Sequence, residues 1–141
     1  MRFETVAEDL RQHEGWRPHA YKDHLGFLTI GYGQLIDQRR GGGMPRAVGE
    51  FWLSMLIDDI DARLMDRLPW YAGAPDDVQR ALINMGYQLG ISGLLRFRNM
   101  LSALEAGDYP AAADHALDSR WATQTPRRAK EVAGWMRDAG N

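Results

Sequence analysis

Between residues 13 and 33 the sequence HEGWRPHAYKDHLGFLTIGYG gathers Glu14, Asp23, Thr29, His13, His19 and His24 ahead of a Gly-x-Gly turn. Two carboxyl groups suffice for hydrolysis of a glycoside. One protonates the leaving oxygen, and the other stabilises charge or helps water attack. A hydroxyl such as that of Thr29 could hold the water. The histidines and acids together could instead hold a metal. A third account is structural, with both acids serving as surface or capping groups. Spacing alone leaves these accounts open. Glutamate at the C-terminal end of a helix is opposed by the helix macrodipole, which weighs faintly towards a non-structural role for Glu14.

The metal account is the weaker one. The three histidines do not repeat at i, i+4 on one helix, and no H-E-x-x-H is present. Asp58, Asp59 and Asp61 fall within a helical pattern and lack the glycine of a calcium loop, so a solvated helix face accounts for them better. The chain has no cysteine, which excludes disulfides and thiolate metal sites and fits a cytoplasmic protein. No metal and no cofactor are expected.

The elements that must position these groups read as mostly helical. Phe3, Val6, Ala7 and Leu10 lie on one face of a helix ending near Gly15. After Pro18 the aromatic and β-branched residues flanking a turn predict a small hairpin. "DQRRGGGMP" then reads as a flexible connection between two parts of the fold. Beyond it, Val48, Phe51, Trp52, Met55 and Leu56 begin a long helix running towards Pro69. Asp76 is expected to cap a second, carried by Val78, Ala81, Leu82, Met85 and Leu89 and broken at "GISG". Leu94, Phe97, Met100, Leu101 and Leu104 predict another. Asp108 before Pro110 and Thr125 before Pro126 mark two further helix starts. The expected architecture is a small hairpin-bearing lobe followed by a larger helical one.

A chain of 141 residues is the size of one typical domain, and 45% apolar content argues against disorder. No stretch approaches the roughly 18 apolar residues of a membrane span. Glu4, Glu8 and Asp9 stand where a signal peptide needs an apolar core, so retention in a cytoplasm is expected. A net charge of −2 makes no case for nucleic acid, although the segment from Ser119 onward carries +3. That segment is either the solvated side of the last helix or an anion-docking face. Of the 17 basic residues 15 are arginine, which suits forked contacts to carboxylate or phosphate but also follows from a biased genome.

Three stretches carry a family resemblance. Glu14-Gly15, Tyr21-Lys22-Asp23 and Gly26-Phe27-Leu28-Thr29-Ile30-Gly31-Tyr32-Gly33 resemble the catalytic segment of the phage-type lysozymes of glycoside hydrolase family 24. "ALINMGYQLGISGLLRFRNML" resembles that family's central helix and following turn, and "SRWATQTPRRAKEV" its Ser-Arg-Trp…Gln-Thr-Pro-x-Arg-Ala segment. The matches fall in the right order along nearly the whole chain.

The resemblance implies an α+β, mainly helical, lysozyme-like fold forming a single catalytic domain. A small lobe of about residues 13–45 would join a helical lobe of about 46–141, with the active-site cleft between them and the helix 3–13 packing on the larger lobe. It implies Glu14 as general acid, Asp23 as second carboxylate and Thr29 as orienter of the attacking water. Leu35 and Tyr87 would line the sugar cleft, Gln88 and Trp121 would pack near its back, and His115 would be a polar substrate contact. Arg128 would be the basic partner near Glu14; burial would favour the protonated acid and Arg128 would oppose it.

Two departures stand out. Gln34 replaces a frequent histidine, so an ionic contact is lost, and the linker is short. The implied activity is that of an endolysin, an inverting muramidase acting on bacterial peptidoglycan as a monomer. With such a substrate, the acid-bearing N-terminus leads to the expectation of residence in the host cytoplasm until a holin admits the enzyme to the wall, without stable membrane insertion. The alternatives are another class of wall hydrolase, such as a metal-dependent amidase, or a non-catalytic wall-binding or tail-associated module.

Overall fold

The computed structural model describes residues 3–36 and 43–141. It is mainly helical with one small antiparallel sheet, the α+β class that the sequence predicts. The chain divides into two compact units, residues 1–53 and 54–141. Most of the connection read from "DQRRGGGMP" (residues 37–42) lies outside the described residues.

The first unit opens with helix α1 (Phe3–Glu14), which stops where the Gly15 amide donates back to the Arg11 carbonyl. Strands β1 (Arg17–Lys22), β2 (Leu28–Gly31) and β3 (Gln34–Leu35) follow, hydrogen-bonded in the order β1-β2-β3. Tyr21 pairs with Thr29 and Lys22 with Leu28, whereas the register slips between Arg17 and Tyr21. Pro18 lies in that slipped interval on an edge strand, the position where a residue without an N–H is tolerated. The hairpin is as expected. The two-residue β3 was not foreseen, because a run that short has no period to detect.

Helix α2 (Arg46–Arg67) contains the boundary between the units. Its buried residues are Ile60 and Leu64, further along than the apolar run from Val48 to Leu56 that signals the helix. A 3-10 turn (Tyr71–Gly73) leads into α3 (Asp76–Leu95). Asp76 does not cap α3. Pro75 holds the N-cap position, and Asp76 and Asp77 sit in the first turn, where acids oppose the positive end of the helix dipole. The break foreseen at "GISG" is local: Gly90 adopts φ 76° and ψ 161°, and helical backbone resumes as far as Leu95.

Helices α4 (Arg98–Glu105), α5 (Tyr109–Leu117), α6 (Arg120–Gln124) and α7 (Pro126–Asp138) complete the second unit. Asp108 caps α5 by accepting from the Ala111 amide at 3.2 Å. Thr125 precedes α7 as expected, but its hydroxyl donates to the Trp121 carbonyl and caps nothing. The short α6, capped by Ser119, was missed, since five residues show no helical period. Alanines 112, 113 and 116 are fully buried on α5, and such small residues let its neighbours approach closely. Around them pack Leu64, Val78, Leu82, Met85, Leu94, Met100, Val132 and Met136. No described helix is long and apolar enough to cross a membrane.

One polar contact enters this core. Tyr71 is fully buried, and its hydroxyl donates to Asp61 Oδ1 at 2.5 Å. Burial, and then the hydrogen bond and charge of Asp61, push the phenol well above its ordinary pKa. The folded protein therefore keeps a proton that the unfolded chain loses above roughly pH 10. This stabilisation is complete below that pH and falls as pH rises beyond it. Urea unfolding between about pH 8 and 11 should show the decline. Tyr71→Phe should flatten it while costing about 1 kcal/mol at neutral pH through loss of the bond to Asp61.

Candidate active site

Glu14 is the last residue of α1, and its carboxyl lies against the backbone of Gly33. A Cβ at position 33 would stand 2.6 Å from Glu14 Oε2, and Gly33 has φ +74°. The backbone conformation demands glycine there, and a side chain would also push the Glu14 carboxyl aside. Gly31 meets the same condition from the other side, where a Cβ would collide with Gln34 Oε1. That oxygen accepts the Tyr32 amide at 2.5 Å, closing the turn on itself. The Trp16 and Tyr32 rings pack at 5.0 Å between centroids beside it. Gln34, flagged in the sequence as the loss of an ionic contact, thus has a local task.

Asp23 sits where β1 enters the turn to β2. Its Oδ1 accepts two backbone amides, from Leu25 and Phe27, each at 2.9 Å. The Phe27 bond, aided by the Leu25 and Gly26 amides and by His24, outweighs partial desolvation and lowers the Asp23 pKa from 3.8. Asp23 is thus ionised at neutral pH. Thr29, on β2, is 3% exposed and donates its hydroxyl to the Phe27 carbonyl at 3.2 Å. With its proton so committed, the Thr29 oxygen is left to accept.

Glu14, Asp23, Thr29 and Leu35 line one depression of about 530 Å3, together with Arg17, Tyr21, Lys22, His24 and Gly33. The helix end and the hairpin therefore bring together the trio that the sequence singled out. Sequence reasoning missed the basic lining. The Arg17 guanidinium stacks 4.2 Å from the centre of the Tyr21 ring, and an i, i+4 pair on a strand that slips register gives no period by which to find it.

In the second unit Trp121 Nε1 donates to Gln88 Oε1 at 2.8 Å, and the Trp121 ring meets Phe97 edge-on at 5.9 Å. These two expected neighbours are thus bonded. Tyr87 is 49% exposed on α3. Arg128 donates through Nε to Asn84 Oδ1 at 2.9 Å and through its other nitrogen to the Asn84 carbonyl at 3.2 Å. His115 stands apart from Arg128, in a pocket with Arg96, Arg98 and Asp118. Among the described residues no group of three or more His, Asp or Glu side chains is arranged to hold a metal ion.

Two outcomes follow from this geometry. Gly33→Ala should cost about 1–2 kcal/mol for left-handed backbone alone. It should also displace the Glu14 carboxyl, read as a change in that group's 13C resonance alongside the melting curve. The bonds that lower the Asp23 pKa stabilise the turn above an ordinary carboxylate pKa, and that contribution disappears as pH falls through the lower folded value. Protection of the Leu25 and Phe27 amides, corrected for intrinsic exchange, should hold at pH 5 and decline below about pH 3.8.

Comparison with known proteins identifies a family. The family model for phage lysozyme matches residues 11–137. The chain is 31% identical to the pre-baseplate central spike protein Gp5 of Enterobacteria phage T4, over 91% of this chain and 27% of that protein. It is 29% identical to the peptidoglycan hydrolase gp36 of Pseudomonas phage phiKMV, over 87% of this chain and 14% of that one. Probable T4-type lysozyme 1 of Dictyostelium discoideum is 26% identical, with 91% of each chain covered. The first two relatives are thus far longer than the region this chain matches. With the family match spanning all but the ends, the chain belongs to the phage lysozyme family.

Proposed function

We propose that this chain is an endolysin-type muramidase, a single catalytic domain that hydrolyses the β-1,4 bond between N-acetylmuramic acid and N-acetylglucosamine in bacterial peptidoglycan. The observation that carries this reading is the convergence of Glu14, Asp23 and Thr29 on one depression. Its membership of the phage lysozyme family supports the same chemistry.

In this scheme Glu14 protonates the glycosidic oxygen as its bond to the anomeric carbon breaks. A water molecule attacks that carbon from the opposite face and passes its proton to Asp23, so the configuration inverts. Asp23 is suited to the task because backbone amides hold it ionised. The Thr29 oxygen, its own proton donated to Phe27, accepts a hydrogen from the attacking water and fixes its direction. The scheme uses no metal or cofactor. Leu35, Tyr87, Gln88, Trp121 and His115 are assigned to sugar contacts and Arg128 to the basic group serving the acid, by resemblance to the family.

The enzyme acts as a monomer, and it reaches the wall from the host cytoplasm when a holin opens the membrane. Expressed alone in a Gram-negative host, it should leave culture turbidity steady until chloroform or a holin is supplied. Lysis that depends on the host secretion machinery would contradict this route.

Mass analysis of digested peptidoglycan tests the reaction, and fragments ending in reducing muramic acid are expected. Free peptide without new reducing ends would mark an amidase, and no product a non-catalytic module. Glu14→Gln nearly preserves shape while removing the proton donor, so hydrolysis should fall by at least ~100-fold. The melting temperature should hold or rise, since active-site acids are often kept at a cost to stability. Near wild-type turnover would sink the assignment.

A further inference from the structure

Arg17 reaches the depression of Glu14 and Asp23 from an irregular stretch of strand. Between Arg17 and Tyr21 β1 takes four steps, whereas β2 takes two between their partners Gly31 and Thr29. On a regular strand, residues four apart stand about 13 Å from one another. Here the Arg17 guanidinium lies 4.2 Å from the centre of the Tyr21 ring. A register slip of this kind bends an edge strand and re-aims a side chain, and such slips recur beside active sites.

Tyr21 is itself fixed. It stands opposite Thr29, and Thr29 stands opposite Leu35. Directly paired residues put their side chains on one face of a sheet, so Tyr21, Thr29 and Leu35 form a row, and all three border the depression. Through one ring the guanidinium is tied to the row that contains Thr29. No carboxylate competes for it: the ion pairs among the described residues belong to Arg63, Arg127 and Arg137. The ring holds the exposed Arg17 by its face, which leaves the N–H groups in the guanidinium plane free to donate.

The donor selects its acceptor. A guanidinium only donates, sugar hydroxyls both donate and accept, and an amide carbonyl only accepts. Each ring of the wall glycan carries one such carbonyl, in the acetamido group on the carbon next to the anomeric one. That anomeric carbon is where Glu14 and Asp23 act in the muramidase reading, on which this inference rests. A charged donor strengthens the bond, and a guanidinium already held by a ring loses little freedom in making it. We propose that Arg17 binds substrate by donating to the acetamido carbonyl next to the scissile bond, and that Tyr21 is the positioning residue that holds it there.

The test compares three purified substrates: peptide-bearing wall, glycan strands stripped of stem peptides, and stripped strands with their acetamido groups hydrolysed to amines. Arg17→Gln should lower kcat/KM by at least ~10-fold on the first two, the loss of one charged hydrogen bond, mainly through KM. On the deacetylated strands the wild type should fall to meet the variant, within ~2-fold. Arg17→Lys keeps the charge without the planar fork and should recover only part of the loss. Tyr21→Leu should cost ~2- to 5-fold, whereas Tyr21→Phe keeps the ring and should match the wild type. Melting curves report whether each variant keeps its fold. Independently of turnover and of any change at position 17, the Arg17 Nε resonance of the Glu14→Gln protein should shift with N-acetylated glycan fragments and not with deacetylated ones. A loss confined to peptide-bearing wall would place Arg17 on a peptide carboxylate, and a loss unaltered by deacetylation would make its role structural or broadly electrostatic; either overturns the proposal. Wild-type protein that releases no muramic acid ends would refute the muramidase reading, and the Arg17 resonance would still decide whether the acetamido contact exists.

Discussion

The close approach of the Glu14 carboxyl to the bare Cα of Gly33 brings the end of α1 against the turn between β2 and β3. A helix ends at Glu14 because Gly15 turns the chain back on Arg11, and the carboxyl lies beside Gly33. Position 33 lacks a side chain that would displace it and adopts left-handed backbone. Gly31 repeats the condition for Gln34, whose oxygen holds the turn by its Tyr32 amide. The absence of a side chain at position 33 thus leaves room for the Glu14 carboxyl beside the turn.

The partner carboxylate is positioned by a different means. Asp23 is held by main-chain amides, so its charge is stabilised by groups that cannot themselves ionise. Phe27 supplies one of those amides, and its carbonyl accepts from Thr29 on the next strand. One residue thereby serves an anion on one side and a hydroxyl on the other. The basic lining from Arg17 and Lys22 adds positive charge nearby without contributing to the Asp23 bonds.

Much of this was legible in the sequence, for identifiable reasons. Glu14, Asp23 and Thr29 stood out through a resemblance to a family motif, since type and spacing alone left surface or capping roles open, and the long helices are marked by period. What escaped was brief or non-local. Strand β3 and helix α6 are too short to show periodicity. Asp76 and Thr125 are of capping type, but which polar group meets a helix end depends on backbone angles that residue type does not specify. The pocket of Arg96, Arg98 and Asp118 draws on residues twenty positions apart, brought together by the packing of α4 and α5.

The double use of Phe27 bears on how such a site can drift through mutation. Both bonds come from its peptide groups, and its ring takes no part in either. Substitution at position 27 by another strand-compatible residue leaves the spacing of Asp23 and Thr29 intact. An insertion or deletion of a single residue between them destroys it, because the amide and carbonyl would then belong to different residues facing opposite sides of the sheet. At position 27, unlike at Gly31 and Gly33, a change of letter is therefore easier to accommodate than a change of length.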